Sequence, residues 1–197
     1  MNYQADRFTA LADACVLASA LKRNMVLSLA EAQIFRIRWS ALILDETEKT
    51  IAKLLIRKKK PNAKANAKIQ RERIDQAFEE STVTNFKSLQ PSLTGINAKD
   101  QHVLAAAIRT SASVIITDNL KDFDKGYCAQ FDIEPLSTDS FIADCIELSP
   151  THSIAVLKTM RERFNKPSIT ADKLIMMCES SSMLKTASFM LEYKDSL

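Results

Sequence analysis

Glycine is nearly missing from this chain. Its 197 residues hold 2 glycines, Gly95 and Gly126, and neither stands in a GxGxxG or a GxxxxGKS/T context. Without a glycine-rich turn, the backbone has no cradle for phosphates in the dinucleotide or P-loop manner, so those chemistries are excluded. Cysteine is sparse and unpaired. Cys15, Cys128, Cys145 and Cys178 form no CxxC unit, and free thiols of a reducing compartment are expected rather than zinc ligands or disulfides. There is no run of 18 apolar residues to span a bilayer, and no charged start followed by an apolar run of the signal-peptide kind. A cytoplasmic location without a membrane partner is the expectation. With only two histidines, His102 and His152, and no local support for a Ser-His-Asp arrangement, nucleophilic triad chemistry is also disfavoured.

What is present describes a folded protein. Hydrophobic residues make up 46% and charged residues 26% of the chain, an ordinary globular balance. A chain of this length can bury one α/β core and carry a smaller appendage. The net charge of +3 is unevenly placed. Lys53, Arg57, Lys58, Lys59, Lys60, Lys64, Lys68, Arg71 and Arg73 crowd one stretch, with Glu72 as its only acid. Such a cluster either pairs with backbone phosphates and releases counterions, or solvates a helical face. Lys58, Lys59, Lys60, Lys64 and Lys68 are the candidate RNA contacts.

The order of elements follows from periodicity. Phe8 to Ala12 reads as a short buried strand that ends at Asp13. Ser28-Leu29-Ala30-Glu31 has the form of a capping box before Ile34, Phe35 and Ile37. Ser40 is a cap for a helix bearing Ile43, Leu44, Ile51, Leu54 and Leu55, and Pro61 separates this helix from a second basic one over Ala63 to Phe78. A loop over Pro91 to Gly95 precedes a helix for which Asn97 is the expected cap, and Ser113 to Thr117 reads as a β-branched buried strand. Three short helices are expected at the end, Ile154 to Phe164, Thr170 to Cys178 and Leu184 to Tyr193. Trp39 reads as core, and Met176 and Met177 as part of a small helical core. Alternating strands and helices imply a parallel sheet with helices on both faces, a three-layer α/β/α domain over residues 8–145. A helical C-terminal segment over residues 150–197 follows.

Three acids stand at places where such a sheet collects ligands. Asp13 follows the first strand, Glu46 lies early in the helix capped by Ser40, and Asp100 lies at the start of another helix. Strand ends and helix starts share one edge of a doubly wound sheet. Gathered carboxylates need a positive centre, and hard oxygen donors select Mg²⁺ or Mn²⁺.

The motifs around these acids carry a resemblance. Ala12-Asp13-Ala14-Cys15-Val16-Leu17, the run Arg38 to Glu46, Asn97-Ala98-Lys99-Asp100-Gln101-His102-Val103-Leu104, and Ile115-Ile116-Thr117-Asp118-Asn119-Leu120-Lys121-Asp122-Phe123 resemble, in order, the four motifs of PIN domains. The resemblance implies a Mg²⁺- or Mn²⁺-dependent endoribonuclease, often the VapC-type toxin of a toxin-antitoxin pair, with RNA as substrate, a cognate antitoxin as partner and homodimers as a common state. By the same carry-over Asp13, Glu46 and Asp100 hold the metal, and Asn119 and Asp122 complete the site. The fourth ligand stays open among Asp122, Asp118 and Asn119. Within the last motif, Leu120 and Phe123 are expected to anchor the turn in the core and Asp118 to cap it. Two other readings remain at this point. A phosphohydrolase or phospho-receiver built on Asp13 would want a neighbouring acid, where Cys15 stands, and a non-catalytic RNA- or protein-binding module would have no need of three intact acids.

Overall fold

The computed structural model describes residues 8–164 and 167–197. Five short parallel strands, β1 (Thr9–Ala12), β2 (Arg36–Ser40), β3 (Thr82–Val83), β4 (Val114–Ile116) and β5 (Glu134–Leu136), form one sheet in the order β3-β2-β1-β4-β5. The sheet is central and flanked by helices, which is the α/β class expected from the alternation of elements. β1 is apolar and buried from Ala10 to Ala12 and pairs on both sides, Leu11 with Arg38 of β2 and with Ile115 of β4. Chain order reverses at β1 and β4, so the carboxyl ends of these two strands flank the topological switch point, where open α/β sheets bind ligands. Pro135 lies in β5, an edge strand, where a missing N–H costs no ladder bond.

The chain divides into two compact units. The first comprises residues 1–19 and 36–136, the second Ala20–Phe35 and Ser137–Leu197. In the first unit α1 (Ala14–Ala18) follows β1, and Ser40 accepts the Ile43 N–H at 3.3 Å to open α3 (Ala41–Arg57). α3 and α4 (Ala63–Ala77) form a hairpin in which Ile51 and Ala67 cluster with Ala18 of α1. Lys59 and Asn62 adopt left-handed backbone at its turn. The Lys59 and Lys60 N–H groups donate to the Ile56 and Leu55 carbonyls, a helix ending usually given to glycine. α5 (Gln101–Arg109) is buried from His102 to Ala107 and contacts β1, β2 and β4. Trp39 is fully buried and meets Phe78 edge-on at 5.8 Å, a core residue as its surroundings in sequence suggest. Gly95 is required by a close approach, since a Cβ there would fall 2.3 Å from the Tyr127 ring.

The second unit is helical. It combines α2 (Ala20–Glu31) with α7 (Thr138–Leu148), α8 (Pro150–Glu162), α9 (Ala171–Ser180) and α10 (Leu184–Glu192); α6 (Lys125–Ala129) belongs to the first. Phe35 and Phe141 meet edge-on at 4.8 Å, and the Cys178 thiol sits 3.9 Å from Met25 Sδ and 3.8 Å from Met190 Sδ. The Asp139 carboxylate accepts the Lys185 and Thr186 N–H groups at 3.0 and 2.8 Å, capping α10 from a different helix. The three terminal helices fall close to their expected places.

Two local readings change. Ser28 and Glu31 do not open a helix but close α2: Leu21, Met25, Val26 and Leu29 form a buried face upstream, and Gln33 in left-handed backbone ends the helix. A Ser-x-x-Glu spacing inside a helix is indistinguishable in sequence from one at its start. Met176 is 55% exposed and lies outside the helical core.

Candidate functional site

Asp13 stands one residue beyond β1, and its N–H donates to the Ile116 carbonyl of β4 at 3.0 Å, which draws the two strand ends together. The residue is 7% exposed and its carboxylate accepts three hydrogen bonds. Oδ1 accepts the Ala14 N–H at 2.6 Å, and Oδ2 accepts the Thr117 hydroxyl at 2.7 Å and the Cys15 thiol at 3.2 Å. Thr117 is fully buried just after β4, so the strand fixes this donor, while the half-buried Cys15 is carried by α1. The Thr117 Oγ1 in turn accepts the Asn119 N–H at 3.1 Å, and it is this hydroxyl that shapes the turn leading to Asp122. Burial first, and the Asp13 charge second, push the Cys15 thiol up to about 12. Cys15 therefore serves as a neutral donor to Asp13 and not as a thiolate nucleophile.

Asp100 precedes α5, its side chain 19% exposed. Its Oδ2 is buried without a hydrogen-bond partner. Burial raises its pKa above the usual carboxylate range; the Lys99 ammonium opposes this, while the charges of Asp122 and Asp13 add to it. Asp100 thus feels the charges of both Asp122 and Asp13. Lys99 lies between two of them, its Nζ 3.6 Å from Asp100 Oδ2 and 3.8 Å from Asp122 Oδ2.

Glu46 is drawn elsewhere. Its Oε1 lies 3.2 Å from Nε2 of the buried His102 on α5, and His102 Nδ1 is buried without a hydrogen-bond partner. The flanking acids of α3 are turned to the hairpin, where Arg71 pairs with Asp45 at 3.2 Å, with Glu48 at 3.9 Å and with Asp75 at 3.8 Å. After β4, Asp118 and Asn119 are exposed, whereas Asp122 is only 20% exposed and faces Lys99. Phe123 anchors this turn with 2% exposure, but Leu120 is 40% exposed and anchors nothing, because the short 3-10 turn Leu120–Asp122 rotates it outward. Asn97, the expected cap of α5, instead accepts the Lys99 N–H at 3.3 Å and so closes the turn before the helix. Thr117, Cys15 and Lys99 carry no signal as site residues in the sequence. The position of Thr117, at the end of an aliphatic strand beside Asp13, becomes informative only once β1 and β4 are known to pair.

On the basic hairpin, Lys58, Lys59, Lys60 and Lys64 are exposed, and among the described residues no ion pair holds them. Lys68 lies 3.9 Å from Glu72. From Glu46 to Arg57, α3 runs for 11 residues, roughly 16 Å at helical rise.

The acid cluster fits a hard cation in its donor chemistry. The atoms it offers are carboxylate oxygens, and one of them is buried without a hydrogen-bond partner. Among the described residues no three His, Cys, Asp or Glu side chains stand close enough to hold a metal ion on their own. Mg²⁺ characteristically takes one or two carboxylates while retaining waters and substrate phosphates, and so needs no third ligating side chain.

A model of the PIN domain matches residues 9–121, more than half of the chain. The chain belongs to the PIN-domain family. The PIN match opens at β1, takes in Asp13, Glu46, Asp100 and Asn119, and stops one residue short of Asp122. A second model, of the VapC50 C-terminal domain, matches residues 138–192, which fall within the helical unit. The PIN chain is also similar to a protein of Mycobacterium tuberculosis described as "Putative ribonuclease VapC50", 38% identical over 77 residues. The match covers 39% of this chain and 46% of that relative, about half its length. No solved structure matches. Among the described residues no helix is long and apolar enough to cross a membrane.

Proposed function

We propose that this PIN protein is a metal-dependent endoribonuclease that hydrolyses RNA phosphodiester bonds and acts as the toxin of a toxin-antitoxin pair. The observation that carries the reading is the pair of largely buried acids Asp100 and Asp122 around Lys99, with a buried oxygen of Asp100 left unbonded, while Asp13 stands at the end of the neighbouring strand β1. The family membership and the name of the mycobacterial relative support it.

Asp13 and Asp100 would hold Mg²⁺ or Mn²⁺, joined by Glu46 once it leaves His102, and when bound the ion supplies an activated water and charge stabilisation at the phosphate. The remaining work falls to the chain. Thr117, Cys15 and the Ala14 N–H fix both oxygens of Asp13, so this ligand enters with its rotamer already set. His102 holds Glu46 toward α5. Asp122 accepts the proton of the attacking water, and the Asn119 amide orients that water from the exposed turn. Lys58, Lys59, Lys60, Lys64 and Lys68 bind the RNA backbone along the hairpin. The partners are RNA, an antitoxin and a second copy of the chain, and the compartment is the cytoplasm.

The test is cleavage of an end-labelled single-stranded RNA by the purified chain in Mg²⁺ or Mn²⁺. Cleavage that EDTA stops and added metal restores is the expected result. Equal cleavage in EDTA would reject metal dependence, and no cleavage of any RNA in the presence of metal would leave a binding module as the better reading.

A further inference from the structure

We propose that Lys99 is a built-in counter-ion of the acid cluster, holding Asp100 and Asp122 together in the metal-free protein and leaving its place when a divalent cation enters. The inference deepens the metal-dependent reading above and rests on it. Asp100 and Asp122 are about four-fifths buried, so their repulsion is poorly screened by water. Lys99 sets one ammonium 3.6 Å from Asp100 Oδ2 and 3.8 Å from Asp122 Oδ2. No other cation is paired with either acid among the described residues.

The same distances show that the Lys99 ammonium is placed to be given up. Charge-assisted N–H···O bonds close to about 2.7–2.9 Å, and both distances here are longer, so the attraction is mainly Coulombic and little hydrogen bonding is lost when it breaks. The lysine side chain is 64% exposed on a flexible stem, and water receives the ammonium when it swings out. Asp100 Oδ2 keeps no other partner. A divalent cation brings two charges and direct coordination to the place where Lys99 offers one charge at a distance, so the exchange favours the metal at the cost of detaching the lysine. Lys99 then lowers the apparent affinity of the site for metal while keeping the empty site from flying apart.

The experiment compares wild type with Lys99→Gln, using Lys121→Gln as a control for removal of a nearby positive charge. Without metal, Lys99→Gln should lower Tm at neutral pH by about 1–4 °C, and the drop should shrink in an Asp122→Asn background, where Lys99 faces Asp100 alone. In a Mn²⁺ titration followed by calorimetry or by Tm, Lys99→Gln should bind about three- to tenfold more tightly, and Lys121→Gln should match wild type. Mn²⁺ binding with an unchanged or weaker Kd in Lys99→Gln overturns the displacement alone. A metal-free Tm drop of undiminished size in the Asp122→Asn background overturns the counter-ion role. Absence of Mn²⁺ binding from all the proteins overturns the displacement and the metal reading together.

Discussion

Thr117→Val removes one oxygen from the centre of the site and keeps the side chain's shape. The Thr117 hydroxyl is fully buried and donates at 2.7 Å to the carboxylate of Asp13, a residue that is 7% exposed. Removing it leaves Asp13 Oδ2 with only the Cys15 thiol as donor, a weak one. A hydrogen bond to a charged group contributes about 1.5–3 kcal/mol. The second bond removed, from the Asn119 N–H, adds little because that turn is exposed and water replaces the acceptor. No cavity opens, since valine fills the same volume. For a chain of this size 1 kcal/mol corresponds to about 2–4 °C in Tm, which places the expected fall at about 3–12 °C. Thermal melts followed by circular dichroism measure it, and a double-mutant cycle with Asp13→Asn assigns it, because the cost of Thr117→Val should shrink by more than ~0.5 kcal/mol once the Asp13 charge is gone. RNA cleavage should fall along with stability. A Thr117→Val protein within ~0.5 kcal/mol of wild type, the range of ordinary surface substitutions, would refute the idea that strand pairing fixes Asp13 through this hydroxyl.

Asp100→Asn should stabilise the metal-free fold at neutral pH. The folded pKa of Asp100 lies above its unfolded value, so between the two the native state holds a proton that the unfolded chain has released, and stability drops as pH rises through that window; the Tm advantage of Asp100→Asn over wild type should therefore disappear below about pH 4, and an equal advantage at pH 3 and pH 7 would show that burial of the charge is not its cause. Replacing Lys58, Lys59 and Lys60 with Gln should weaken RNA binding and reduce the log-log salt slope by roughly 0.7 for each phosphate deprived of its lysine; an unchanged slope in a binding titration would assign these lysines to solvation or to a protein partner. Asp122→Ala should slow cleavage with Tm near that of wild type, whereas Asp118→Ala, on an exposed position, should leave cleavage intact; the reverse pattern would move the role to Asp118.

The sequence makes legible whatever depends on local spacing. The Ser40 cap, the α3–α4 hairpin around Pro61 and the terminal helices are each written in a cap, a breaker and a periodic apolar face. So are the strand ends that place Asp13 and Thr117, because continuous apolar runs leave a buried parallel strand little freedom. Contacts between distant segments are not written this way. That Ser28 closes a helix depends on the buried face of Leu21, Met25 and Leu29, and β2 alternates Ile37 and Trp39 with two arginines over only five residues. The outward turn of Leu120 depends on a single 3-10 turn. The Glu46–His102 and Lys99–Asp122 pairs join side chains that only the assembled sheet edge brings together. The acids themselves could be read from their positions; the groups that hold them could not.

The role of the acid cluster is tested most directly by the cleavage rate of one labelled RNA with wild type and with Asp100→Asn, in saturating Mn²⁺, with melting curves run on the same samples. The variant should be folded, with a metal-free Tm at or above that of wild type at pH 7, and its cleavage should fall by at least about a hundredfold, the scale of removing a group that acts at the reacting centre. A well-folded Asp100→Asn protein that cleaves at the wild-type rate would contradict the placing of Asp100 at that centre.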